Sequence, residues 1–355
     1  MYPSLKIGNH TISEDKPVFV IAEAGANHNG DISLAKKLID IAKDSGADSV
    51  KFQTFSADEF IINNKKNFTY FSQGKQQTSS ELELLKKLEF NRVQWKEIID
   101  YCRKINITFF TTIQDPKNLK MMLELGLEAI KVGSDDFDHL DYLKEYAKSG
   151  LPLILSRGMS DQKEIGKIIN TIEPLSSGGL AVLHCVSLYP SELSYLNLNQ
   201  IKTLKKLFPN VVWGFSDHSQ STMIPALSVA SGAKIIEKHY TIDHSLPGPD
   251  HWFSMNPKQL KEMISNIRKA EEALGGSEIL VSAKESKVKD IMRRRVVILQ
   301  NANAGTDISK LKYVFKRAEE GIFIEDWKSF LNKGYKLKIN KKVGDTIIFE
   351  DLILN

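Results

Sequence analysis

Residues 18–54 read "VFVIAEAGANHNGDISLAKKLIDIAKDSGADSVKFQT". An apolar run, Val18 to Ala22, ends on a carboxylate, Glu23, and a polar turn containing Gly25 and Gly30 follows. Over 32–47, Leu34, Leu38, Ile39, Ile41 and Ala42 gather on one side of a helix with lysines on the other, and Gly46 stops it. Asp31, followed by Ile32 and Ser33, reads as the N-cap. A second apolar run, 48–54, comes next. Continuous apolar strands joined by an amphipathic helix predict a parallel sheet covered by helices. Asn27, His28 and Asn29 admit two readings, capping of the loop or contact with a bound substrate.

The same unit recurs along the chain. Further apolar runs are "ITFFTT" (107–112), "AIKVGS" (129–134), "LPLILS" (151–156), "LAVLHC" (180–185), "VVWGFS" (211–216) and "AKIIEKHY" (233–240). Helical periodicity fills 93–104, 116–126, 142–150, 162–173, 198–208 and 222–232. Eight strand–helix units in about 280 residues predict a (β/α)8 TIM barrel, since an open doubly wound sheet usually needs fewer strands. The stretch 55–90 is too long for a plain crossover and reads as a polar insertion on the loop side. The division expected is a barrel over 1–278, a polar linker over 279–290 and a small β-rich module over 291–355.

With 42% hydrophobic and 26% charged residues among 355, the composition is that of a globular protein with a large core. A net charge of +4 gives no push toward nucleic acid, although a local basic pocket for an anion is compatible with it. Cys102 and Cys185 form no CxxC pair and predict buried thiols in a reducing compartment. The opening "MYPSLKIGNHTISEDK" lacks the basic and apolar regions of a signal peptide. No apolar run approaches the ~18 residues of a membrane span. A cytoplasmic protein with no membrane or nucleic-acid partner is expected.

Chemistry in a βα barrel gathers at the C-terminal ends of the strands. Here nearly every such end is polar: Glu23; Lys51 and Gln53; Thr111 and Thr112; Lys131 and Ser134; Ser156; His184 and Ser187; Ser216, Asp217 and His218; Glu237 and His239, with Asp250 in the loop beyond. One such residue has a bland explanation; their joint occurrence does not, because a filled barrel wants branched apolar side chains. Two lysines, Lys51 and Lys131, among the hydroxyls of Ser134, Ser156 and Ser216 suit a phosphate or carboxylate. A Schiff-base lysine is the alternative, and it needs only one. His218 and His239, on neighbouring strands with Glu23 beside them after closure, suit a divalent metal: manganese, zinc or iron on ligand chemistry alone.

Taken in order, "IAEAGANHNGD", "VKFQT", "IKVGS", "ILSRGMS", "LHCVSLYP", "GFSDHS", "IEKHYTID" and "PGPDHWFSMNP" resemble the sialic acid synthase (N-acetylneuraminate synthase) family. "RRRVVI" and "VFKRAEEGI" resemble its C-terminal antifreeze-like (SAF, β-clip) module. The resemblance implies condensation of phosphoenolpyruvate (PEP) with an N-acylated hexosamine to a nine-carbon 2-keto acid, with a manganese or magnesium ion. It implies His218 and His239 as metal ligands, and Glu23 and Asp250 as catalytic groups. Lys51, Lys131, Ser134, Ser156, Ser187 and Ser216 would contact PEP. Gln53, Asp136, Tyr189, Asp250 and Arg317 would surround the sugar, with Arg317 delivered by the SAF module across a homodimer. The chain also departs from the family's pattern. Asp135-Asp136 stands where Gly-Glu is usual after "GS", Arg157 where Thr is usual, and Ser187 where Asn or Thr is frequent. "TTIQD" replaces "STPF" and "KRAEEGI" replaces "KRP". Such changes at a substrate rim suit a modified hexosamine, such as the 2,4-diacetamido sugars that lead to legionaminic or pseudaminic acids.

Overall fold

A computed structural model describes residues 3–62 and 67–354. Eight parallel strands close into a barrel. They are β1 (Phe19–Gly25), β2 (Ser49–Thr54), β3 (Thr108–Ile113), β4 (Ile130–Val132), β5 (Leu153–Ser156), β6 (Leu180–Cys185), β7 (Val212–Asp217) and β8 (Ile235–His239). Each pairs with the next, and β8 returns to β1 with Ile235 beside Phe19 and His239 beside Glu23. The helices that follow them are α1 (Ile32–Ser45), α2 (Arg92–Ile105), α3 (Pro116–Glu124), α4 (Leu140–Ala147), α5 (Gln162–Ile172), α6 (Asn199–Leu207), α7 (Ile224–Ala230) and α8 (Pro257–Leu274). Every residue of β1 is buried, as strands covered on both faces require.

Local chemistry sets the joints. Asp31 caps α1, accepting from the N–H groups of Ser33 and Leu34, and Gly46 ends it in the left-handed region. The register of β1 on β2 slips between Glu23 and Gly25, a bulge that turns the strand end. Gly25 has φ +53, and a Cβ there would come within 3.3 Å of the Glu23 carboxylate and 3.5 Å of the His239 ring. Only glycine suits both demands.

The insertion at 55–90 is ordered rather than a plain polar loop, with residues 63–66 outside the described set. It holds an antiparallel hairpin, Asn67–Ser72 against Lys75–Ser80, and a helix, Glu81–Leu88. Gln73 and Gly74 both take positive φ at its tip, the backbone of a tight two-residue hairpin turn. The hairpin is tied to the loop after β8: Gly248 N–H donates to Ser72 Oγ (3.0 Å) and Gln73 Nε2 to the Ser245 carbonyl (2.9 Å).

A second compact unit covers 276–355. The stretch read as a linker is not extended there, because Ala283–Met292 is a helix with Ser282 accepting from the Glu285 N–H. Two small antiparallel pairs follow, Arg294–Ile298 with Tyr313–Arg317 and Tyr335–Leu337 with Leu352–Leu354. They enclose a separate core around Trp327, Val296, Ile322 and Ile347.

Candidate active site

A cavity of about 390 Å³ opens at the C-terminal ends of the barrel strands. Four buried charges form its floor. Lys51 Nζ lies 2.8 Å from Glu23 Oε2 and 3.7 Å from Glu237 Oε2. Lys131 Nζ lies 3.7 Å from Glu237 Oε1. Lys51 also donates to Thr112 Oγ1 (2.7 Å), and Lys131 to Ser156 Oγ (2.7 Å) and the Val132 carbonyl (2.9 Å). Ser216 Oγ donates to Glu237 (3.0 Å) and Gln53 Nε2 to Glu23 (3.2 Å).

Burial and pairing set different protonation tendencies in this cluster. Burial pushes the Glu23 carboxyl up to about 7, with Lys51 opposing the rise and Glu237 adding to it. Burial also works against ionisation of Glu237, but Lys131 and Lys51 outweigh it and hold that carboxyl below its ordinary value. Lys51 is burdened by burial too, yet its two carboxylates hold it above its ordinary value. Lys131 ends below its own, because burial exceeds the pull of Glu237. The floor therefore pairs a firmly charged lysine with a carboxyl group able to exchange a proton near neutral pH.

Two imidazoles face this floor, with His218 and His239 ring centroids 5.6 Å apart. Burial brings His218 down to about 4 and His239 well below its ordinary value, so both are neutral at physiological pH. His218 Nδ1 sits 2.8 Å from the Val186 carbonyl, which can only accept, so its proton is on Nδ1 and the Nε2 lone pair is available. His239 Nδ1 is buried with no hydrogen-bond partner among the described residues. Neutral imidazoles with lone pairs to offer fit a divalent ion. Among the described residues no three His, Cys, Asp or Glu side chains are set to enclose one. The protein would supply two nitrogens, with other positions left to substrate or water. Tyr189 stands over His218, ring centroids 4.0 Å apart, and closes that side.

Lys51, Lys131, Ser134, Ser156, Ser187 and Ser216 all line this cavity, as do Glu23, Gln53, Tyr189, His218 and His239. Ser134 and Ser187 hydroxyls meet at 2.8 Å. Asp136 does not line it; its neighbour Asp135 does, and Gln114 Nε2 reaches Asp135 at 3.4 Å. Asp250 is absent from the wall as well, and its carbonyl accepts from Ser254 Oγ (2.6 Å) to fold the loop after β8. Burial pushes its carboxyl up to about 6. Arg317 lies exposed on a strand of the second unit. Glu237, the carboxylate between the two lysines, stood on the sequence as a strand-end group without a role, and its signal was its place two residues before His239.

Several strand-end groups point the other way, into the helix layer. Thr111 meets Thr54 at 2.9 Å, and Asp217 takes Lys238 Nζ at 2.7 Å. The first turn resolves to capping. Asn27 donates to the Tyr240 carbonyl (2.8 Å) and Ser254 Oγ (3.1 Å), and His28 accepts from the Gly30 N–H (3.0 Å) while stacking on Phe90 at 4.2 Å. Asn29, at φ +51, faces His251 at 3.3 Å.

Comparison with known proteins agrees with this architecture. The sequence model of the NeuB family matches residues 38–279. An N,N'-diacetyllegionaminic acid synthase of Legionella pneumophila is 36% identical over 94% of both chains. An N-acetylneuraminate-9-phosphate synthase of Mus musculus is 33% identical over 95% of this chain and 93% of its own. Among solved structures, an N-acetylneuraminic acid synthetase from Leptospira borgpetersenii superposes with a TM-score of 0.73 at 37% identity, covering 81% of this chain and 95% of its own.

Proposed function

The chain belongs to the NeuB family, and on that premise we propose that it condenses phosphoenolpyruvate with an N-acylated hexosamine of the N-acetylmannosamine type. The product is a 2-keto-nonulosonic acid and the leaving group is phosphate. The observation that carries this reading is the pair of buried lysines, Lys51 and Lys131, set about one carboxylate opposite two neutral imidazoles.

Lys51 and Lys131 bind the phosphate and carboxylate of PEP, with hydroxyls of Ser134, Ser156, Ser187 and Ser216 completing the cradle. Tyr189 and Gln53 position the open-chain sugar beside it. C3 of PEP attacks the aldehyde carbon, and the alkoxide so formed becomes a hydroxyl by taking up the one proton that the adding water gives up. Positive charge develops at C2, where Glu23 stabilises it and takes a proton from the water that adds there. The resulting tetrahedral centre loses phosphate by breaking its C2–O bond. A manganese or magnesium ion held by His218 and His239 would supply Lewis-acid polarisation of the aldehyde.

Asp136, Asp250 and Arg317 belong to this reading through the resemblance alone. So does the homodimer, in which Arg317 on an antifreeze-like module serves the other subunit's sugar site. Mixing Arg317→Ala with Glu23→Gln tests this part, since heterodimers would regain activity at one cavity. A second reading, a 2,4-diacetamido-trideoxyhexose as acceptor, draws support from Asp135 on the cavity wall, where the family pattern has a different pair.

The decisive experiment incubates the protein with PEP, manganese and a panel of N-acylated hexosamines, reading product mass and released phosphate. One phosphate per product mass is expected. Condensation of pyruvate with a hexosamine without PEP would overturn the reading in favour of an aldolase.

A further inference from the structure

Arg157 is the departure at the end of β5 that the catalytic cavity does not use. Alternation along the strand sends Ser156 inward to Lys131 and Arg157 outward, toward the groove between α5 and α6. Arg157 is only 7% exposed. Nη2 donates to His184 Nδ1 and to Gln200 Oε1 (2.5 Å). His184 Nε2–H donates to the Leu196 carbonyl at 2.5 Å and Nδ1 accepts from Arg157, so the ring is neutral, as its burial also requires. Both partners are thus uncharged, and Arg157 Nε is buried with no partner among the described residues.

Among the described residues no carboxylate lies within ion-pair distance of Arg157, and burial, not a neighbouring charge, is what lowers it to about 10. It remains a cation at neutral pH. Asp161, the acid nearest along the chain, caps α5 through the Glu164 N–H. A buried guanidinium without a counter-charge is costly unless something supplies one. Space for a ligand exists on both sides. One cavity of about 360 Å³ lies between α5 and α6, and another of about 490 Å³ extends toward the loop after β6. The second shares Met159, Cys185 and Ser187 with the catalytic cavity. Asp161, whose carboxylate is engaged in capping α5 with Glu164, stands on the wall of both.

We propose that this pocket is an oxyanion subsite beside the catalytic cavity, in which the guanidinium of Arg157 takes a phosphate or carboxylate group. The anion is either free in solution or carried on a substrate that reaches past Met159 and Ser187. The proposal concerns binding and stands apart from the reaction above.

The test reads the Arg157 Nε–H resonance in a proton–nitrogen correlation spectrum of the full chain, assigned by its loss in Arg157→Lys. Calorimetric titration of inorganic phosphate against wild type and Arg157→Gln runs beside it. The expected result is a shift of that resonance and a fall from two phosphate sites per chain to one, the lysine-lined site surviving. A shift with inorganic phosphate alone assigns the subsite to a free anion. A shift only with a hexosamine 6-phosphate, under saturating PEP, assigns it to a group on the acceptor. A resonance that neither probe moves overturns the proposal, and equal phosphate stoichiometry in wild type and Arg157→Gln overturns its free-anion form. Phosphate release from PEP, followed in parallel, separates this outcome from failure of the proposed reaction. The spectrum of the wild-type chain decides even where the glutamine variant does not fold.

Discussion

Asp217→Asn should destabilise the barrel severely, although Asp217 touches nothing in the cavity. Asp217 and Lys238 are 0% and 1% exposed, with Lys238 Nζ at 2.7 Å from Asp217 Oδ2. At an effective dielectric of about 20 that separation corresponds to an attraction of about 6 kcal/mol. The amide removes the counter-charge and leaves Lys238 buried with only uncharged acceptors, the amide oxygen and the Ser219 carbonyl, and an ion stranded in this way costs roughly 3–5 kcal/mol net. Lys238→Met strands Asp217 with only the Ser219 N–H (2.9 Å) and hydroxyl (3.1 Å), and should cost a similar amount. The double variant Asp217→Leu/Lys238→Met replaces the pair by apolar groups and should fall within about 2 kcal/mol of wild type. The assay is urea unfolding followed by fluorescence of the buried Trp95 and Trp213, which report the barrel transition. Singles costing under about 1 kcal/mol, or a double equal to their sum, would refute the reasoning.

Lys131→Met should raise the KM for PEP with little change for the hexosamine; a charge-assisted contact of about 1.5–3 kcal/mol corresponds to roughly 10- to 150-fold, and a change under threefold in a phosphate-release assay counts against the anion role. Chelation should abolish turnover, with manganese restoring it and with His239→Gln unable to recover; undiminished phosphate release in excess chelator removes the metal from the reading. His28 is held near 3 by burial against an ordinary value of 6.5, so the unfolded chain binds a proton that the fold refuses. Stability should therefore be full above pH 6.5 and decline as pH falls toward 3, by about 5 kcal/mol from this residue. In His28→Leu the slope of barrel stability against pH over that window should flatten, and an identical slope would show that His28 is not the group responsible.

The eight barrel strands were legible because each is a continuous apolar run between periodic helices, a pattern that strands buried on both faces must carry. The hairpin at 67–80 was not, because most of its side chains are exposed and its turn is Gln73-Gly74 rather than Asn-Gly. Strand-end polarity located the cavity, but it could not by itself sort inward from outward residues. The period of two does so: Ser216 faces the cavity and Asp217 the helices, Glu237 the cavity and Lys238 the helices. Asp135 and Asp136 lie past the end of β4, where no period governs direction, and there it is Asp135 that stands on the cavity wall. Asp250 lies in a loop for the same reason.

The seam between β8 and β1 joins the last strand of the barrel to the first, and Glu23 and His239 face each other across it. A nascent or partly opened chain with that seam apart has no assembled cavity, however well its other strands are paired. Occupancy of the cavity is therefore a readout of closure. A small molecule that grips both sides acts as a clasp, adding stability in proportion to the logarithm of its concentration over its dissociation constant. Proteolysis that depends on opening at this seam would slow by a factor of one plus that ratio.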